Sequence, residues 1–268
     1  MLQNLHVKNL ALIDEVEITF DEHLNILTGD TGAGKMPEPQ TLFNYIMRTI
    51  ACEKDLAGKN VLITAGATQE KIDPVRFITN HSTGKMGRAI AENCMLRGAH
   101  VTLVNASVSV EPPMFVDVVN VTSAADMADV VKSKAAEQDI IIMTAAVADF
   151  CPSHPADEKI KKNDSSYESV IELERTEDIL SYLGAHKAKG QLICGFSMET
   201  QNMLENSKAK LAKKNADMIV ANNLKVAGAG FGTDTNVVTL ITADDCTELE
   251  IMDKSCVAAR IMDRLLQM

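Results

Sequence analysis

The chain has 268 residues, 46% of them hydrophobic, which suffices for the core of one large α/β domain or two smaller ones. With 26 Lys and Arg against 37 Asp and Glu, its net charge is −11, which argues against nucleic acid as a partner, because phosphate contacts dominate such affinity. No apolar run reaches the length of a membrane span and no signal peptide opens the chain, so a soluble cytoplasmic protein is expected.

Residues 1–35 differ in character from the rest. Leu5 to Ile13 and Glu15 to Phe20 read as two short strands, and Asn25 to Thr28 as a third. The third leads into Gly29-Asp30-Thr31-Gly32-Ala33-Gly34-Lys35, which fits the phosphate-binding pattern G-x-x-x-x-G-K. The next residue is Met36, with no hydroxyl for magnesium, and Pro37 and Pro39 oppose a helix directly after the lysine. Leu2 to Lys35 resembles the amino terminus of the DNA-repair ATPase recombination protein N, and the likeness stops at Lys35. The expectation is an appended fragment without ATPase activity. Residues 36–58 follow as a linker and helix, with Leu42, Tyr45, Ile46 and Ile50 at helical spacing.

From Asn60 onward strands and helices alternate. Strands are expected at Val61 to Ala65, His100 to Asn105, Val116 to Val121, Asp139 to Ala145, Leu192 to Ser197 and Met218 to Ala221. Helices are expected at Met86 to Arg97, Ala124 to Glu137, Glu177 to Lys187 and Asn202 to Asn215. Val237 to Thr242 and Glu248 to Met252 flank Asp244-Asp245 as a hairpin, and a helix from Lys254 to Leu266 closes the chain. The pattern is α/β: a Rossmann-like parallel sheet with helices on both faces, plus a β-hairpin extension. Residues 59–268 form this domain. Six scattered cysteines form no C-x-x-C pair, so they are read as buried thiols rather than zinc ligands or a disulfide framework.

Several segments carry chemistry. Val61 to Thr68 is a buried strand that runs into a long polar loop, and the loop enters a helix at Gly84-Lys85-Met86-Gly87. A helix N-terminus there offers backbone N–H groups to a phosphate, while Arg76 and Asn80 can orient an oxyanion. Asp149 follows a strand at the sheet's carboxyl edge, where an aspartate serves equally as a metal or ribose ligand or as a loop cap. Lys159, Lys161 and Lys162 suit closure over a triphosphate, and such a cluster is also the pattern of a solvated face. Phe196 suits base stacking or core packing, and Lys210 and Lys214 share a helix face.

In order, Ala65-Gly66-Ala67-Thr68, Asp73 to Asn80, Ser82 to Gly87, Ala145 to Asp149, Lys159 to Lys162, Gly195-Phe196 with Glu199-Thr200, and Ala221-Asn222 resemble the bacterial phosphopantothenoylcysteine synthetase family. That family forms the carboxy-terminal half of the bifunctional coenzyme A biosynthesis enzyme. The resemblance implies a homodimeric ligase that joins 4′-phosphopantothenate to L-cysteine through an acyl-cytidylate made from CTP. It implies that Asn80, Lys159 and Arg76 serve the chemistry. Gly66, Ala145, Asp149, Phe196, Lys210 and Lys214 would bind the nucleotide, with Mg2+ at Asp149. It implies no FMN, because the decarboxylase half has no counterpart here. Ala67, Thr83 and Ser197-Met198 depart from the family's usual residues. Two rivals are an NAD(P)-dependent Rossmann oxidoreductase, for which Gly66-Ala67-Thr68 lacks the full G-x-G-x-x-G, and an inactive DNA-repair fragment.

Overall fold

The computed structural model describes residues 4–10, 13–19, 37–161, 170–198, 202–222, 230 and 232–268. The stretch from Gly29 to Lys35, the strand expected at Asn25 to Thr28, and Lys162, Glu199 and Thr200 lie outside them. The chain divides into two compact units, 1–53 and 54–268.

In the first unit, β1 (Asn4–Leu10) and β2 (Ile13–Thr19) form an antiparallel pair with Val7 opposite Val16. The helix α1 (Pro39–Ile50) starts on its proline, whose fixed φ and missing N–H suit a first helical turn.

The second unit is built on an eight-stranded sheet. Its strands along the chain are β3 (Asn60–Ala65), β6 (His100–Asn105), β7 (Asp117–Asn120), β8 (Ile140–Met143), β11 (Leu192–Met198), β12 (Met218–Asn222), β14 (Val238–Ile241) and β15 (Cys246–Glu248). In space the order is β15-β14-β12-β11-β8-β3-β6-β7. All pairings from β12 through to β7 are parallel, while β14 and β15 add an antiparallel edge. The chain runs outward from β3 to β6 and β7, then returns to β8 on the other side of β3 and continues to β11 and β12. This reversal makes the β3/β8 junction a topological switch point, where open α/β sheets hold their ligands.

Both faces are covered. Val61, Ile63 and Ala65 of β3 join one core with Ile90, Ala91 and Cys94 of α2 (Lys85–Leu96) and Val257, Ile261 and Leu265 of α6 (Lys254–Leu265). Leu62, one step along the pleat, joins the other core with Met127 and Val131 of α3 (Ala124–Lys134), Leu183 of α4 (Ile179–Ala185) and Leu211 of α5 (Met203–Lys213). The unbroken apolar runs therefore read correctly as strands covered on both sides.

Three small ribbons depart from the sequence reading. The long loop after β3 folds into a hairpin of β4 (Gln69–Lys71) and β5 (Phe77–Thr79). β9 (Phe150–Pro152) pairs with β10 (Leu173–Arg175). β13 (Thr235–Asn236) pairs with β16 (Met252–Asp253), so the second strand of the expected hairpin is Cys246–Glu248 and not Glu248 to Met252. Two- and three-residue strands have too few residues for a period to show. The cysteines also differ: Cys94 and Cys194 are buried, Cys52 and Cys151 half-buried, Cys246 and Cys256 exposed.

A buried arginine closes the far end. Arg97, at the end of α2, donates from Nε to Asp55 at 2.8 Å and from Nη1 to Asp263 of α6 at 2.8 Å. It ties the start of this unit to its last helix. Replacing it leaves both carboxylates, each partly solvated, without their cation. Arg97→Leu is expected to lower unfolding stability by roughly 1–3 kcal/mol, read as a shift of the urea midpoint.

Candidate active site

A cavity of about 910 Å³ opens at the carboxyl ends of β8, β11 and β12, beside the first turns of α2 and α4. That volume lies in the range of small-molecule sites. Backbone geometry builds its floor. Gly66 leaves β3 with φ +87°, and a Cβ there would stand 2.5 Å from the Ser107 carbonyl oxygen, so only glycine fits the turn. Beyond the sheet the chain segments stay laced together. Ala146 donates its N–H to the Gly66 carbonyl at 2.9 Å, Ala145 to Thr64 Oγ1 at 3.1 Å and Ala148 to Thr68 Oγ1 at 3.0 Å.

Six of the residues expected at the site line this cavity: Asn80, Ala145, Asp149, Phe196, Lys210 and Lys214. Asn80 Nδ2 donates to the Ala146 carbonyl at 3.1 Å, which seats its amide against the β8 turn. Lys210 Nζ donates to the Phe196 carbonyl at 2.9 Å. Lys214, which caps the end of α5, donates to Asp178 and to Ser181 Oγ at 2.9 Å. Burial disfavours ionisation of Asp178, yet Lys214 and the Ser181 N–H outweigh it and hold the carboxyl below the usual carboxylate range.

Helix α2 brings its N-terminus to the same cavity. Its cap is Gly84, in the left-handed region at φ 78°, which has no side chain to cap the N–H groups of the first turn. That end presents donors and the positive pole of the helix dipole to an anion. Gly87 sits so close to the sheet that a Cβ would meet Ala65 Cβ at 2.6 Å and Thr144 Oγ1 at 2.7 Å. It brings the first turn of α2 down onto the strand ends.

Gly66, Arg76 and Lys159 are not among the cavity residues. Gly66 shapes the turn behind it. Arg76 lies at the turn of the β4–β5 hairpin, where Nε donates to Asp73 Oδ2 at 2.9 Å. The Arg76 guanidinium, with the N–H groups of Val75, Ile160 and Arg76, holds the Asp73 carboxyl well below its ordinary range, although burial opposes this. The same pair grips the segment that carries Lys159. Ile160 donates its N–H to Asp73 Oδ2 at 3.2 Å, and its carbonyl accepts from Arg76 Nη2 at 3.0 Å. Lys159 is thereby tied to the hairpin turn.

Five cavity residues, Lys85, Asp178, Asn222, Asn236 and Lys254, carry roles the sequence reading did not assign. Lys85 Nζ donates to the Gly232 carbonyl at 2.8 Å and to Asp234 at 2.7 Å. Lys254 Nζ donates to the carbonyls of Gly230 at 3.2 Å, Thr233, and Thr235 at 3.0 Å. Burial and the neighbouring Lys85 lower its pKa, against the pull of Asp234. Asn236 and Asn222 also line the wall. Asp178 had a local signal, an aspartate ahead of an apolar helix, since it accepts the Ser181 N–H as the N-cap of α4. Lys254 and Asn236 had none.

Asp149 is an exposed carboxylate in the cavity wall, and the described residues contain no group of three His, Cys, Asp or Glu able to hold a metal alone. One carboxylate beside a polyphosphate does suit Mg2+, which keeps most of its water and binds through phosphate oxygens. Among the described residues, no helix is long and apolar enough to cross a membrane.

The fold and cavity together define an α/β domain with a cleft, lined by lysines and a helix N-terminus, at the switch point of a largely parallel sheet. Residues 56–268 match the family described as DFP, DNA/pantothenate metabolism flavoprotein C-terminal domain, and the chain belongs to that family. It is 46% identical over 241 residues to the coenzyme A biosynthesis bifunctional protein CoaBC of Bacillus subtilis, which covers 88% of this chain and 59% of that protein. It is 43% identical over 247 residues to a protein of an unknown prokaryotic organism named cysteine/cysteine sulfinic acid decarboxylase, covering 90% and 68% respectively. Among solved structures, the C-terminal domain of a CoaBC protein is 44% identical with a TM-score of 0.67, over 79% of this chain and 96% of that one. The chain thus spans about 59% of the Bacillus protein's length. The family match starts at residue 56 and lends no support to the likeness of Leu2 to Lys35 to recombination protein N.

The grip of Asp73 on the Lys159 segment is testable. Asp73→Asn removes the charge that holds both Arg76 and the Ile160 N–H. Limited trypsin digestion of the folded variant is expected to cut after Lys159 and Lys161 several-fold faster than in the parent chain; equal rates would show that the segment is held by something else.

Proposed function

We propose that this chain joins 4′-phosphopantothenate to L-cysteine at the expense of CTP, giving 4′-phosphopantothenoylcysteine, CMP and pyrophosphate. The observation that carries this reading is the convergence at one switch-point cavity of an uncapped helix N-terminus, four lysines and the Asn80 amide. It is supported by the 44% identity to the solved CoaBC C-terminal domain. A cytoplasmic location goes with the reading.

A carboxylate is a poor electrophile, so activation comes first. A carboxylate oxygen of the substrate attacks the α-phosphorus of CTP, the bond to the bridging oxygen breaks, and pyrophosphate leaves. The amine of cysteine then attacks the acyl carbon, the bond to the CMP oxygen breaks, and the amine loses a proton. No step changes an oxidation state, so the reaction calls for no flavin.

In this reading the α2 N-terminus, Lys210 and Lys214 receive the phosphates. Phe196 and Ala145 border the nucleotide, and the Gly66 turn shapes that wall. Asn80 holds the acyl-cytidylate carbonyl for attack. Arg76 supports the acyl substrate, and Lys159 closes on the phosphates as its segment leaves the hairpin turn. Asp149 would hold Mg2+ bound to the triphosphate, where the ion offsets phosphate charge. We also propose a homodimer. The exposed apolar side chains of Val75, Phe77 and Ile160 around the β4–β5 hairpin support it. Residues 59–268 form the synthetase domain, and 1–35 take no part in the reaction.

Asn80→Ala is expected to retain pyrophosphate release from CTP and phosphopantothenate while product formation with cysteine is lost. Full turnover to product would remove Asn80 from the chemistry. Lys159→Gln is expected to slow pyrophosphate release itself by about a hundredfold. An unchanged rate would place that lysine outside the activation step.

A further inference from the structure

The chain leaves the sheet at Asn222, the last residue of β12, and re-enters it at β14 just after Asn236, the last residue of β13. The pairing of β12 with β14 sets Asn222 opposite Val238, so Asn236 arrives just beyond the strand end. Its backbone is held by pairing with Met252 of β16, and its side chain is buried at 4% exposure. Both asparagines line the cavity.

Their amides form a directed chain. The Val237 backbone N–H, which can only donate, gives its hydrogen to Asn236 Oδ1 at 3.0 Å. The oxygen of that amide is thus fixed toward the backbone and its nitrogen toward Asn222. Asn236 Nδ2 then donates to Asn222 Oδ1 at 2.9 Å. The half of the Asn222 amide not engaged by Asn236 is the NH2 donor. A lone asparagine turns either end toward a ligand at little cost. Here one backbone N–H, acting through Asn236, selects the donor end.

We infer that Asn236 is a positioning residue: it locks the Asn222 amide with its NH2 available to an acceptor oxygen of the bound nucleotide. This rests on the nucleotide reading proposed above and adds to it a residue that acts without itself being the ligand contact. Phosphate, ribose and pyrimidine carbonyl oxygens are all acceptors, so a cavity for a nucleoside triphosphate gains from a fixed donor and loses from an amide free to offer its oxygen.

The test is a double-mutant cycle read by CTP binding and by steady-state pyrophosphate release. Asn236→Asp keeps the acceptor for Val237 and still bonds Asn222, but reverses the polarity, so that Asn222 presents its oxygen. It is expected to weaken CTP binding at least tenfold and raise KM for CTP with kcat largely held. In an Asn222→Ala background the same change should cost less than threefold. That background isolates the effect of the added charge, which would act equally in both. Should thermal melting show that Asn236→Asp fails to fold, the cycle is run with Asn236→Ala, with an expected loss of about threefold that is again confined to the Asn222 background. Equal losses in both backgrounds, or none in either, would overturn the inference while leaving the nucleotide reading in place. A parent chain that binds no CTP would overturn that reading, and the inference with it.

Discussion

The cavity depends on the pairing of β3 and β8 continuing past the end of the sheet. Thr64 and Thr144 bond across the junction, Ala67 bridges to both Ala146 and Ser107, and Thr68 Oγ1 takes the Ala148 N–H. Three chain segments that would otherwise splay apart at the switch point form one rigid platform. Gly66 permits it, because the backbone there runs through a positive φ against the Ser107 carbonyl. Everything that faces the cavity hangs on this platform: Asn80 is seated on Ala146, α2 is drawn in over Gly87, and Asp149 stands where the β8 turn ends. A platform of backbone hydrogen bonds suits chemistry that needs groups held within a fraction of an ångström.

Charge is organised on top of that platform by exchangeable partners. Lys214 is paired with Asp178, Lys85 with Asp234, and Lys210 bonds the Phe196 carbonyl. Each ammonium is already solvated by protein, so the polyphosphate of the proposed substrate would compete with these partners. The net gain is then the difference between two sets of charge-assisted bonds, smaller than the bare attraction but gained without a large reorganisation. Lys254 differs, because its hydrogens go to three carbonyls of the 230–235 stretch. It works as an internal cation that ties the carbonyls of Gly230, Thr233 and Thr235 to the start of α6, beside the wall formed by Asn222 and Asn236.

The hairpin that carries Arg76 obeys another logic. Asp73 accepts from its own turn and from the Ile160 N–H, which ties together residues 87 positions apart in the chain. The tie gives the Lys159 segment a defined resting place away from the cavity wall. In the function proposed, a lysine closing over phosphates from such a segment would have to exchange that anchorage for the ligand, which would make Asp73 and Arg76 determinants of the closure.

Much of this was legible in the chain itself. Unbroken apolar runs such as Ile140 to Met143 identify covered strands, helix spacing identifies α2 through α6, and Phe196, Lys210 and Lys214 fall toward the carboxyl ends of β11 and α5. Local periodicity determines these features because each strand or helix buries a face that its own residues must supply. Tertiary structure alone decided the rest. The β9–β10 and β13–β16 ribbons pair segments too short to carry a period, and the second strand of the terminal hairpin shifted to Cys246–Glu248. Arg76 meets the Ile160 carbonyl at a hairpin turn, and Asn236 reaches Asn222, through hydrogen bonds between residues distant in sequence. No pattern of neighbouring residues encodes such meetings: a polar side chain's partner is chosen by where the folded backbone delivers it.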